Sequence, residues 1–294
     1  MNPGARLHRQ EPDGSCYLLK SELVRDFKDF LRIDLRLCNI TVQGHVFQVK
    51  RFLKWVKQNN VEEVSQDTLR SYLREFSNSS AFTYANVLKT LRRLFRDFLS
   101  KPELVESFRL PKKPFKPRRV PKRADLRRFY EALDSDIGRA LFLMYASTGL
   151  RKRELLSLKI ENIDFSNRMV LPSCHEGETK QSFVSFYNEE AEKALNQYLA
   201  SRKDREGKVF RIGTHTFLDL WKRANQKTEL HITPQTLREW FCTEMVSKGV
   251  SDSYVDAFCG RVPRSILAKH YLDYSPEKLK EVYEKAELRV LCTP

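Results

Sequence analysis

Four side chains in this sequence are of types that could act on a bound anion. Arg151 follows Thr148-Gly149-Leu150, and Arg238 follows Thr236-Leu237. A guanidinium is a permanent cation whose planar fork suits a phosphate or carboxylate. Lys180 lies in HEGETKQSFVSF, in or beside a hairpin turn, with Gly177 and Glu178 close by. Tyr271 lies near an expected helix end, next to Lys269 and His270. Its phenol could be a nucleophile or a packing residue. Taken singly, each has an ordinary reading: a charge opening a helix, a solvated hairpin lysine, a core tyrosine.

The elements around these residues are readable. Ala140 to Ala146 is an unbroken apolar run that reads as a buried helix, and Thr148-Gly149 breaks it. Lys152 to Leu156 are good helix formers, so a new helix starts there. Arg151 therefore falls at a helix–helix corner, beside buried surface and with no obvious carboxylate partner. Thr233 and Pro234 form a strong helix start, cap then first turn. Leu237, Phe241 and Met245 recur every four residues as the buried face, with Arg238 beside them. Gly260 ends one helix and Pro263 opens another, expected over 265–271.

The bulk numbers suit a polyanion partner. The chain of 294 residues carries 53 Lys and Arg against 38 Asp and Glu, a net charge of +15. That balance points to nucleic acid first and an anionic membrane second. No apolar run approaches the ~20 residues of a spanning helix, and the first fifteen residues lack the apolar core of a signal peptide. A soluble, cytoplasmic, nucleoid-associated prokaryotic protein is expected. The six cysteines show no CxxC spacing and no clustered histidines, which argues against a zinc site or a disulfide framework. Cys242 and Cys259 lie in apolar patterns and read as small core residues. No metal and no cofactor is expected.

Composition divides the chain. Residues 1–17 are polar, lack periodicity and are expected to be disordered. Residues 18–110 hold four helical segments, the second with Thr41 as its cap and the third preceded by Ser65. The fourth carries Lys89, Arg92, Arg93 and Arg96 opposite its apolar face, a stripe that could meet phosphates. Residues 111–123 form a linker with four prolines and seven basic residues: Lys112, Lys113, Lys116, Arg118, Arg119, Lys122 and Arg123. Such a segment cannot bury a core, and its charge density favours contact with a nucleic-acid backbone. Residues 124–294 read as a second, larger domain, mostly helical, with strands at 167–171 and 182–186 and a last helix from Pro276 to Ala286. That helix could pack on its own domain or on a neighbour.

In this order the motifs resemble the tyrosine recombinase (phage integrase) family. TGLRKREL at 148–155 matches the family's first box, TGLRxxEL. PQTLREWFCT at 234–243 matches the second, PHTLRHxFAT, and Lys180 matches the hairpin lysine. Gly260-Arg261 followed by Tyr271 matches the third box and its nucleophile. The tail HYLDYSPEKLKEVY looks most like integrases of archaeal plasmids and viruses. Three features depart from the pattern. Gln235 stands in place of a histidine, Arg261 in place of histidine or tryptophan, and Tyr271 comes ten positions after Arg261, one more than is common. Tyr274 is the rival nucleophile.

The resemblance implies a mainly α fold with a small antiparallel β-sheet: a helical, SAM-like core-binding domain followed by a catalytic domain. It implies site-specific cleavage and rejoining of double-stranded DNA by a homo-tetramer. Arg151 and Arg238 would hold the non-bridging oxygens, Tyr271 would attack to give a 3′-phosphotyrosine, and Lys180 would protonate the leaving 5′-oxygen. Gln235 and Arg261 would hydrogen-bond the phosphate. Integration or excision of a mobile element is the expected role. The alternatives are chromosome-dimer resolution, a type IB topoisomerase and a non-catalytic DNA-binding relative.

Overall fold

A computed structural model describes residues 9–10, 16–17, 20–56, 63–112, 119–172, 184–202, 204, 206–261 and 270–291. The chain divides into two compact units, Met1–Pro117 and Arg118–Pro294.

The first unit is helical. Helices α1 (Lys20–Ile33), α2 (Asn39–Val56), α3 (Gln66–Arg74) and α4 (Ala81–Arg92) enclose one core. Its centre is aromatic: Phe52 meets Tyr72 and Phe95 edge-on, and Phe27 meets Phe98. Ser65 caps α3 and Ser80 caps α4, each hydroxyl accepting the amide of the residue three further on. Helix α2 begins two residues before the expected cap. Thr41 lies inside it, its hydroxyl 3.1 Å from the Cys38 sulfur. Beyond α4 the chain continues as a π-helical turn, Arg93–Phe98. That widening alters the phase of the basic stripe, which the sequence reading carried through as a single α-helix. Within 1–17, where no element was expected, Arg9–Gln10 pairs antiparallel with Cys16–Tyr17 as β1 and β2.

The second unit is built around α6 (Asp136–Thr148), buried along almost its whole length, which explains its unbroken apolar sequence. Helices α5 (Arg123–Glu131), α7 (Lys152–Ser157), α8 (Glu189–Ala200), α9 (Thr214–Thr228), α10 (Pro234–Ser247), α11 (Asp252–Phe258) and α12 (Pro276–Lys285) complete it. Helix α6 packs against both α8 and α10. Strands β3 (Ile163–Asp164), β4 (Met169–Val170) and β5 (Ser185–Phe186) form an antiparallel sheet in the order β3-β4-β5. The sheet contains a strand, β3, that the sequence reading lacked. Most of the helix expected over 265–271 lies outside the described residues, as does the connection from β4 to β5 with Lys180.

Helix α12 packs on its own unit. Leu279 and Tyr283 are buried, and the Tyr283 ring meets Phe186 at a tilt and Phe258 edge-on. Its hydroxyl donates to the Ser147 carbonyl at 2.9 Å. Burying two such side chains contributes roughly 1.5–3 kcal/mol each.

Candidate active site

The corner after α6 fixes the first arginine. Gly149 ends α6 in the left-handed region, at φ 64°. A Cβ there would stand 2.5 Å from the Phe241 ring, so both the backbone angle and the close approach of α10 require glycine. Thr148 tightens the turn, its hydroxyl donating to the Met144 carbonyl and accepting the Leu150 amide. Tyr145 reaches past the corner to the Lys152 carbonyl at 3.1 Å. Arg151 is the residue immediately before α7 and is held in this frame.

The sequence left Arg151 without a carboxylate, and the structure corrects this. Glu154, three residues on, accepts the Arg151 guanidinium at 2.6 Å and the Arg151 backbone amide at 2.7 Å. One glutamate thus caps α7 and orients the cation. The Arg-x-x-Glu spacing at a helix start is the signal that could have found it. The other end of the guanidinium donates to the Gly260 carbonyl at 3.0 Å.

Arg238 is the more unusual cation. It is 4% exposed, and its guanidinium donates to two carbonyls, Gly149 at 2.6 Å and Cys259 at 2.6 Å. Burying an ion costs several kcal/mol, which these two charge-assisted bonds partly offset. Burial lowers its pKa, and the Arg151 and Arg261 cations add to that. A guanidinium starts so high that it stays charged at neutral pH. Helix α10 places it as expected, with Thr233 capping and Pro234 in the first turn.

The two arginines therefore share one anchor. The turn after α11 presents consecutive carbonyls, Cys259 to Arg238 and Gly260 to Arg151. Arg151, Gln235 and Arg238 also line one cleft of about 420 Å³, with Lys152 and Lys222 adding charge and Phe217 and Trp221 forming an apolar wall. Gln235 is exposed, its amide donating to Glu239 at 3.0 Å. Arg261 pairs with Asp256 at 3.0 Å and sits 3.7 Å from the Cys242 sulfur.

Tyr271 is 76% exposed. It has no hydrogen bond or ring contact with another described residue, so the described geometry does not join it to the arginines. Tyr274 instead packs edge-on against Tyr254, 5.9 Å between ring centres, and burial raises its phenol pKa. Lys180 lies outside the described residues.

In the first unit, Lys89, Arg92, Arg93 and Arg96 line a concavity of about 760 Å³ together with His45, Gln48 and Asn86. Arg92 is partly committed to structure, donating to the Phe108 carbonyl. Arg96 pairs with its neighbour Asp97 at 2.6 Å. Among the described residues, Arg92 Nε and Arg93 Nη1 are buried donors without a hydrogen-bond partner, which suits a bound anion. Of the linker cations, Lys112 and Arg119 are exposed, the Lys122 backbone amide donates to Asp125 at the start of α5, and Arg123 pairs with Glu244. Lys113, Lys116 and Arg118 lie outside the described residues.

Residues 122–278 match the profile described as the Phage integrase family, and residues 24–101 match the family's N-terminal SAM-like domain. Tyrosine recombinase XerA of Thermococcus kodakarensis is 25% identical over 282 residues, covering 91% of this chain and 96% of that protein. Tyrosine recombinase XerC of Bacillus pumilus is 28% identical over 307 residues, covering 89% and 98%. Among solved structures, a lambda integrase tetramer bound to a Holliday junction superposes with a TM-score of 0.65 at 14% identity, over 87% of this chain and 78% of that one. This last likeness is one of fold. No described helix is long and apolar enough to cross a membrane.

Proposed function

The chain belongs to the phage integrase family, and from that premise we propose that Arg151 and Arg238 are its phosphate-binding pair in site-specific DNA cleavage and rejoining. The observation that carries the assignment is their common anchorage: two cations from separate elements, the corner before α7 and helix α10, fixed by adjacent carbonyls and opening on one cleft. A scissile phosphodiester gathers negative charge on its non-bridging oxygens as it is attacked, and donors already in place contribute about 3 kcal/mol each.

Tyr271 is the proposed nucleophile. Its attack forms a phosphotyrosine at the 3′ end and releases a 5′-oxygen, which Lys180 protonates as general acid. The phenol of Tyr271 stands in solvent, whereas that of Tyr274 is packed and its pKa raised, which favours Tyr271. The covalent link conserves the bond energy, so the 5′-hydroxyl can attack it and rejoin the strand. Gln235 reaches the same cleft and can hydrogen-bond a phosphate oxygen without carrying a proton. Arg261, at the turn's far end, adds a further cation.

Double-stranded DNA is the substrate in this reading, with the Lys89–Arg96 face and the linker cations on the backbone. The assembly is a homo-tetramer, as in the lambda integrase structure on a Holliday junction. Integration or excision of a mobile element is the preferred role. The Xer names among the relatives favour, as a second reading, the same chemistry applied to chromosome dimers.

A nicked suicide duplex carrying the cognate site tests the assignment on a denaturing gel. Wild type and Tyr274→Phe are expected to give a covalent protein–DNA band, and Tyr271→Phe none. Loss of the band in Tyr274→Phe alone would move the nucleophile to that residue.

A further inference from the structure

The two sulfurs nearest the arginine anchor are not isolated core residues. Cys242 lies one helical turn beyond Arg238 on α10, and Cys259 is the last residue before Gly260. Their Sγ atoms are 3.4 Å apart, a direct thiol–thiol contact between the second-box helix and the third-box turn. Cys259 is fully buried, and its sulfur would be 3.2 Å from a Cβ at Gly149, so it lies beside the first-box corner as well. Cys242 is only part-buried, with the Arg261 guanidinium 3.7 Å away.

We propose that Cys242 and Cys259 form a reversible disulfide that lowers DNA cleavage by shifting the turn that anchors Arg238 and Arg151. The effect on cleavage rests on the assignment of the arginines above; the bond itself does not. Cys242 is the attacking thiol and Cys259 the resolving one. The hydrogen bond with Cys259 and the Arg261 and Arg238 cations lower the Cys242 pKa, and the same coupling, with burial, raises that of Cys259. A part-exposed thiolate beside cations is the reactive kind.

The chemistry balances with a low-molecular-weight disulfide such as oxidised glutathione as the oxidant. The Cys242 thiolate attacks one glutathione sulfur, forming a mixed disulfide and expelling a glutathione thiolate. Cys259 loses its proton to solvent, attacks the Cys242 sulfur and expels the second glutathione thiolate. Two electrons pass from the cysteine pair to glutathione.

The geometric consequence falls on the anchor. A disulfide needs its sulfurs about 2.05 Å apart, so they must approach from the 3.4 Å contact by more than an ångström. The Cys259 carbonyl bonds Arg238 at 2.6 Å, and the next carbonyl holds Arg151. Misplacing a catalytic group by about 1 Å can cost ~100-fold in rate.

The test equilibrates the full-length protein with oxidised glutathione, alkylates free thiols and maps cross-linked peptides without reduction. A Cys242–Cys259 peptide is expected, and dithiothreitol should remove it. Single-turnover cleavage of the suicide duplex should be ten- to a hundred-fold slower in the oxidised protein and recover on reduction. Amide exchange across 257–261 should change in parallel. Cys242→Ser and Cys259→Ser should each abolish the cross-link. Oxidation that leaves Cys242 and Cys259 free, or bridges them to other cysteines, would overturn the proposal. So would a mapped bridge with unchanged amide exchange and unchanged cleavage. If the reduced protein cleaves nothing, the arginine assignment fails, while the peptide map and amide exchange still judge the thiol pair.

Discussion

Two sets of cations, one in each unit, are held in opposite ways. In the second unit Arg238 is buried and held by main-chain carbonyls, and Arg151 is clamped between a carboxylate and a carbonyl. In the first unit Lys89 and Arg96 are exposed, and Arg96 pairs with an adjacent aspartate. A cation fixed in place has already met the cost of ordering, so it can stabilise a short-lived charge distribution at a defined point. A cation on a long exposed stem adapts to a backbone phosphate and contributes chiefly through counterion release. Rigid cations suit a transition state, and mobile ones suit affinity.

Arg238→Ala should test that contrast most severely. Single-turnover cleavage at saturating DNA is expected to fall by 10²–10³, equivalent to about 3–4 kcal/mol, with DNA affinity changing far less. Equal losses in rate and affinity would erase the distinction between the units. Lys89→Ala should do the reverse. Its expected signature is a salt dependence of binding shallower by about one charge, with the cleavage rate at saturation intact. Titration of binding against salt concentration checks it.

A smaller effect sharpens the picture of the first unit. His45 lines the concavity with the arginines, and burial lowers its pKa to about 4, aided by the Arg93 cation. The Thr90 hydroxyl donates to the Asn86 carbonyl, so it accepts from His45 Nδ1 at 2.8 Å, and the ring is neutral with its hydrogen on that atom. A histidine whose folded pKa is depressed contributes stability above its unfolded value near 6.5. That contribution is lost as the pH falls toward 4. After allowance for the ring's partial exposure the loss is about 1–2 kcal/mol. Denaturant melts followed by amide exchange in α2 and α4 should show it, and His45→Gln should flatten the slope between those pH values.

Much of the site was legible because it depends on local rules. Thr233-Pro234 announced the start of α10, and Arg238 followed one turn in. Thr148-Gly149 announced the corner, and its left-handed angle is what only glycine adopts readily. Non-local pairings were not legible. The carbonyls that hold the arginines carry no residue signature, since every residue has one. Cys242 and Cys259 looked like two core residues because 17 positions separate them and only the packing of α10 on α11 brings them together. Strand β3 has two residues, too few for an alternating pattern to stand out. At the arginine corner the local miss was Glu154, whose capping role was visible in its spacing from Arg151.

The anchoring of both arginines by main-chain oxygens has a consequence for sequence change. A carbonyl is present whatever side chain sits on the same residue. Positions 259 and 260 can thus exchange side chains, within what the turn's φ of 56° at Gly260 permits, without deleting either acceptor. The neighbouring position can likewise carry an arginine instead of an imidazole or indole without altering those two bonds. What the two arginines require of this turn is therefore backbone shape, while the packing of the buried Cys259 side chain limits position 259 separately, so the lettering can drift most freely where the side chain faces solvent.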